Sequence, residues 1–107
     1  MSEDARAAYD ELAEILAATT PARLGKMFGM PSLKIGSKVF AGYVEDAMVF
    51  KLSGQAHGRA LALPGAHLFD PGAMGRLMKE WVVVPAEHAA QWEELARAAL
   101  EYVGGGQ

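Results

Sequence analysis

Apolar residues near the start of the chain recur at intervals of three and four positions. Tyr9, Leu12, Ile15 and Leu16 share one side of a helical projection, and Asp10, Glu11 and Glu14 share the other. This spacing predicts an amphipathic helix from about Asp4 to Ala18. Pro21 ends it, because proline disfavours helical geometry at the residue before it.

From residue 23 the hydrophobic period shortens to two, which is typical of strands. Turn signals divide this region into strands at 23–28, 32–35, 38–44 and 47–52. Gly29-Met30-Pro31 punctuates the first two strands, Gly36-Ser37 is a glycine-first loop that suits a type II′ hairpin, and Glu45-Asp46 reverses the chain again. The pattern predicts a meander of about four antiparallel strands.

The region after the meander has a weaker pattern. Ser53 to Leu63 is a poor helix candidate that Ser53 could cap, and Pro64-Gly65 and Phe69–Gly72 read as turns. Met78 to Val84 contains three consecutive valines, and these β-branched residues favour a strand.

The last apolar stripe belongs to a helix that Pro85 opens and the glycines from Gly104 end. Its members are Trp92, Leu95, Ala96, Ala99 and Val103. The elements together predict one α+β domain over residues 1–107, with 1–3 and 104–107 frayed. An N-terminal helix, an antiparallel sheet of about four to five strands, an irregular or helical connection and a C-terminal helix packed on the sheet make up the fold.

Composition narrows the function classes. The net charge of −3 lacks the basic footprint that sequence-independent DNA binding requires, so direct nucleic-acid binding is not expected. The absence of cysteine removes disulfides, thiolate catalysis and cysteine-ligated zinc. The acidic N-terminus does not resemble a signal peptide, and the apolar runs are too short to span a bilayer. We therefore expect a cytoplasmic protein without a membrane segment.

The ordered motifs of the strand region resemble a known bacterial family. These motifs are Met27-Phe28-Gly29, Gly36 before Val39-Phe40-Ala41, Asp46 before Met48-Val49-Phe50-Lys51, Phe69, and the block Met78–Pro85 with Trp92 and Leu95. They resemble the N-terminal domain of the TfoX/Sxy family in a stand-alone form. The resemblance implies an α+β fold akin to YjbR-like and secretion-chaperone-like domains. It also implies a link to competence regulation, a role that belongs to longer members with a second, helical domain.

No arrangement of residues indicates catalysis or a cofactor. The histidines at 57, 67 and 88 lie ten or more positions apart, whereas zinc ligands usually come in close pairs, so locally hydrogen-bonded or solvated rings are expected. The serines at turns lack a nucleophile motif. We expect a non-enzymatic domain with no cofactor and no metal.

Lysines offer the one candidate interaction or anion site. Lys26, Lys51 and Lys79 could gather beside Trp81 and Tyr43 and form a groove with a positive rim. The alternative is that the lysines guard exposed strands against aggregation and that Trp81 is a core residue.

Three functions remain open at this point. The first is a non-enzymatic interaction module that binds a protein partner or forms a homodimer through its sheet, which we prefer. The second is a transcription-linked accessory regulator that reaches DNA only through a partner. The third is a small-ligand domain with a cleft between the sheet and the segment from Ser53 to Met78.

Overall fold

Helices cover one face of an antiparallel sheet in the computed structural model, which describes residues 2–27, 29–70 and 77–105. The elements are α1 (Ser2–Thr19), β1 (Arg23–Met27), β2 (Met30–Ile35), β3 (Lys38–Val44), β4 (Ala47–Lys51), α2 (Gly54–Leu61), β5 (His67–Phe69), β6 (Met78–Pro85), a 3-10 helix (Ala86–Gln91) and α3 (Trp92–Gly104). The predicted α+β class, with an N-terminal helix and a C-terminal helix packed on the sheet, is confirmed.

The described strands are arranged in the order β1-β2-β3-β4-β6-β5, with every neighbouring pair antiparallel. The predicted meander is therefore present from β1 to β4. The described sheet has six strands rather than four to five. The additional strand, His67–Phe69, is too short to show the alternation that identifies a strand in a sequence.

The turns follow the sequence closely except at the first one. Gly36 has φ 62°, as the first residue of a type II′ loop requires, and Ile35 pairs with Lys38 around it. Met30 and Pro31, predicted as turn residues, instead belong to β2. Pro31 pairs only with β1, because the pairing with β3 begins at Ser32, so proline is tolerated there. The predicted last residue of β1, Phe28, lies outside the described residues.

Helix boundaries depart from prediction in three places. The first helix begins at Ser2, two residues before the predicted start. The weak candidate after Ser53 is a real helix, although the Ser53 side chain makes no capping hydrogen bond. Pro85 ends β6 and leads into the 3-10 helix instead of opening α3. The backbone is non-helical at His88 (φ −108°, ψ 24°), so α3 starts only at Trp92.

Alternation along the strands creates two apolar clusters, one on each face. The helix-side core contains Leu16 of α1, Phe40 and Phe50 of the sheet, and Trp92 of α3, whose Nε1 donates to the Val84 carbonyl at 3.2 Å. The other cluster, here called the strand-only cluster, draws its described members from strands alone: Ala47, Val49, Phe69, Trp81 and Val83, with Met30, Val39, Val44 and Met78 packed against them. The candidate site lies on this second face.

Candidate functional site

A cavity of about 480 Å³ lies at one end of the strand-only cluster, and we call it the groove. Met30, Val44, Ala47, Phe69, Val83 and Pro85 form its apolar part, and Glu45, Asp46, His67 and Asp70 form its polar part. Glu45, Asp46 and His67 are exposed, whereas Phe69, Val83 and Ala47 are buried. The groove therefore combines an apolar floor with a charged rim that faces solvent.

The β3–β4 turn holds two carboxylates at that rim in an uncommon backbone conformation. Glu45 and Asp46 have φ values of 47° and 66°, and Val44 pairs with Ala47 across them. A two-residue hairpin with positive φ at both positions is a type I′ turn, which favours Asn-Gly. Among the described residues, these are the two non-glycine positions with positive φ. The turn carries acidic side chains at a site where backbone geometry favours other residues.

Tyr43 partly explains why Asp46 is accepted there. The Tyr43 hydroxyl donates to Asp46 Oδ1 at 3.0 Å. Partial burial, together with this hydrogen bond and the charge of Asp46, raises the pKa of Tyr43. The tyrosine is thus a neutral donor at ordinary pH, and it holds one rim carboxylate in place.

The rim on the far side of the groove comes from β5 and the residue that follows it. His67 is opposite Val83 of β6, and its Nδ1 donates to the Gly65 carbonyl at 3.2 Å. Asp70 is half-buried beside it. A cationic or hydrogen-bonding group that entered the groove would meet polar side chains on two sides, and an apolar group would reach the floor.

The structure brings part of the predicted lysine site together. Lys51 and Trp81 are direct cross-strand partners, and Lys51 Nζ lies 3.7 Å from Glu80 Oε1. Lys79 is two residues before Trp81 on β6. Trp81 is 8% exposed, which agrees with the alternative that it is a core residue. These three residues are not among those lining the groove.

The other two predicted residues lie elsewhere. Lys26 is on β1, three strands away from β4 in the sheet order. Tyr43 packs on the helix side, where its ring centroid lies 5.4 Å from that of Tyr9 and 5.7 Å from the Arg6 guanidinium carbon. The β3–β4 hairpin pairs Tyr43 with Met48 of the helix-side core, whereas Lys51 lies three positions further along β4 and therefore on the opposite face, with its partner Trp81. The binding role of the lysine site stays a prediction.

Two histidine side chains form hydrogen bonds with main-chain carbonyls that are distant in the sequence. Because a carbonyl can only accept, the ring nitrogen is the donor in each contact: His57 Nε2 to Lys79 O at 2.8 Å and His88 Nε2 to Pro64 O at 2.8 Å. The expected hydrogen-bonded rings are thus present. Over residues 2–27, 29–70 and 77–105, no group of three or more potential ligands is placed to hold a metal ion.

Sequence reasoning missed the groove because its lining comes from β2, from the β3–β4 turn, from β5 and from β6. One signal was available, namely a two-residue hairpin loop, Glu45-Asp46, with neither glycine nor asparagine. The closeness of this loop to His67 depends on β6 inserting between β4 and β5, which no local pattern encodes.

Comparison with protein families gives a match that spans most of the chain. The profile of the TfoX N-terminal domain matches residues 14–102, which is most of the chain. Comparisons with curated proteins and with solved structures gave no match. In the part of the chain that the structure describes, no helix has the length and hydropathy needed to cross a membrane.

Proposed function

The chain belongs to the TfoX N-terminal domain family, and from that premise we propose that it is a non-enzymatic interaction domain that binds a protein through the groove. A segment of the partner places an apolar side chain on the floor and a basic side chain between the rim carboxylates. The observation that carries this proposal is an apolar floor beside the Glu45-Asp46 turn.

The layout of the groove favours a protein over a small molecule. Small-molecule sites enclose most of the ligand and set a few polar groups within an apolar cavity. Here the polar side chains of Glu45, Asp46 and His67 are exposed at the rim, while the buried residues beneath are apolar. An apolar centre with a polar, solvated rim is the usual anatomy of a protein–protein interface.

The charges at the rim favour a basic partner segment. Glu45 and Asp46 are exposed neighbours, and Asp70 adds a third carboxylate to the lining. Exposed carboxylates attract a Lys or Arg side chain and discriminate against an acidic one, more through rate and specificity than through large binding energies. The described lining contains no serine, threonine or lysine that would pair with His67 as a nucleophile, which supports a binding role over catalysis.

Family membership favours one further candidate, a transcription-linked accessory role. The acidic net charge then requires that the protein reaches DNA through its partner. This candidate predicts DNA retention only in the complex, measured at two salt concentrations. Direct binding by the purified protein with a steep salt dependence would contradict it.

Native mass spectrometry of the protein, purified untagged from its own cells, tests the proposed function. We expect a complex with a second protein that Glu45→Lys disrupts and Glu14→Lys leaves intact. Glu14 is a matched control because it is an exposed carboxylate on α1, away from the groove. A co-purifying small molecule in place of a protein would overturn the proposal.

A defined probe tests the chemistry of the groove directly. We expect acetyl-Arg-Phe-Arg-amide to shift the backbone amide resonances of Glu45, Asp46 and His67, and acetyl-Glu-Phe-Glu-amide to leave them unchanged. Glu45→Lys should weaken the binding of the first peptide at least about fivefold, which corresponds to about 1 kcal/mol of binding free energy. Equal binding of both peptides, or shifts centred on Lys51 and Trp81, would place the site elsewhere.

A further inference from the structure

The two edges of the described sheet differ in length and in side chains. β5 at one edge has three residues, and such a short strand offers little for pairing. β1 at the other edge has five residues, Arg23–Met27, and pairs with β2 alone. One row of its backbone N–H and C=O groups is therefore not used by β2. This edge is the more capable template for another strand.

The side chains along the β1 edge are basic, with an apolar residue among them. Arg23 and Lys26 are exposed, and Leu24 between them is 62% exposed, the highest value among the large apolar residues described. Lys34 of β2, the register partner of Arg23, extends toward the same edge. Its Cδ and Cε lie 3.2 Å from the position that a Cβ on Gly25 would occupy, so the glycine leaves room for this side chain.

Protection against aggregation does not account for this arrangement. Edge lysines are a common device against unwanted pairing, and it works by making the edge unfavourable for apolar strands. A leucine exposed in the middle of the same edge acts in the opposite sense. Pairing with β1 of a second copy is disfavoured as well, because it would bring Arg23 and Lys26 of both copies together.

We propose that β1 accepts an extended acidic segment of another protein as an added antiparallel strand. Main-chain hydrogen bonds supply affinity, and side chains in register supply specificity. The added strand carries acidic residues opposite Arg23 and Lys26 and an apolar residue opposite Leu24. This surface shares no residue with the groove, so it stands independently of the proposed function.

Nucleic acid is the competing partner for a basic edge. It is less well matched, since a phosphate backbone makes no use of Leu24 or of strand hydrogen bonds, and the chain as a whole carries a net charge of −3. A strand partner uses the charges, the leucine and the backbone together.

The test uses the labelled peptide acetyl-Glu-Thr-Val-Glu-Thr-amide, which matches the expected register. We expect saturable binding by fluorescence anisotropy and slower hydrogen exchange at the amides of Arg23 to Met27. Two versions of the peptide, N-methylated at one or the other alternate set of residues, keep the charge, and one of them should bind at least about tenfold more weakly. Lys26→Glu should likewise weaken the binding of the parent peptide at least about tenfold. Arg59→Glu, a charge reversal at an exposed position on α2, should leave this binding unchanged.

Three results would overturn the proposal. The first is equal binding of the parent peptide and both N-methylated peptides, which would mean charge attraction without strand pairing. The second is competition by an oligonucleotide of the same charge, with no change in edge hydrogen exchange, which would favour nucleic acid. The third is the absence of binding up to about 1 mM. Should Lys26→Glu fail to fold by circular dichroism, the N-methylated peptides and the exchange data on the natural chain decide alone.

Discussion

Replacing Glu45-Asp46 by Asn-Gly should stabilise the fold and at the same time weaken the binding of a basic peptide in the groove. Both residues hold positive φ, which costs L-residues other than glycine about 1–2 kcal/mol each, with less for aspartate and asparagine. The double change removes about 2 kcal/mol of this cost, because glycine adopts the conformation freely and asparagine tolerates it.

Two losses oppose this gain. The Tyr43–Asp46 hydrogen bond disappears, at about 0.5 kcal/mol for an exposed contact. Glycine also gives the unfolded chain more freedom, worth about 0.5–1 kcal/mol. The net gain is about 0.5–1 kcal/mol. For a domain of this size, we expect a rise in Tm of about 2–4 °C.

Thermal unfolding followed by circular dichroism, with urea unfolding in parallel, measures the change. Tyr43→Phe isolates the hydrogen bond, and Glu14→Gln reports the removal of a carboxylate from a place without backbone strain. Binding of acetyl-Arg-Phe-Arg-amide to the Asn-Gly variant should fall at least about fivefold. An unchanged or lower Tm would show that the turn is not strained, and a higher Tm with unchanged peptide binding would show that its carboxylates have no part in recognition.

Three further expectations concern the core, the alkaline range and the lysines. Trp92→Ala should lose about 3–5 kcal/mol of unfolding free energy in urea, because the ring is buried and its Nε1 donates to the Val84 carbonyl; a loss below about 1 kcal/mol would contradict this packing. Burial raises the pKa of Tyr9 from 10.0 to about 12. The Tyr9 contribution to the free energy of unfolding is therefore full below pH 10 and is lost as the pH rises toward 12. Tyr9→Phe should remove that part of the decrease in unfolding free energy with pH. Lys51→Ala with Lys79→Ala should change stability by less than about 0.5 kcal/mol, since both are surface positions, and the sequence-based hypothesis expects it to weaken partner binding. Unchanged binding in that double variant would remove the lysine site.

Local chemistry made much of the fold predictable. Periods of three to four residues identified α1 and α3, and the glycine-first loop at Gly36 fixed the β2–β3 reversal. These features depend on side chains only a few positions apart, so a single sequence contains them. The strand Met78–Pro85 was visible for the same reason, as a β-branched run.

The rest depends on distant pairings. The β4–β6 contact places Lys51 opposite Trp81 and lets His67 reach the groove, yet neither segment encodes that register locally. Tyr43 was misplaced for a different reason, because the two-residue turn pairs it with Met48, three positions from Lys51 and thus on the opposite face, and this local register was overlooked. His88 departs from helical geometry while its ring binds the carbonyl of Pro64, so the shift of α3 to Trp92 also depends on a distant contact. Only the Glu45-Asp46 loop carried a local sign of the site.

The position of α3 after all the strands that it covers has a consequence for synthesis in the cell. The hairpins from β1 to β4 join neighbouring segments, and they can pair as soon as their residues are made. The helix-side surfaces of β3 and β4, however, also pack against α3, whose Trp92 and Val103 are made later. A nascent chain that has reached Pro85 thus carries a sheet whose strands β3 and β4 still lack the contacts that α3 makes with them. We expect cooperative folding only after α3 is made, so chaperones that bind apolar surface would engage the growing chain before that point.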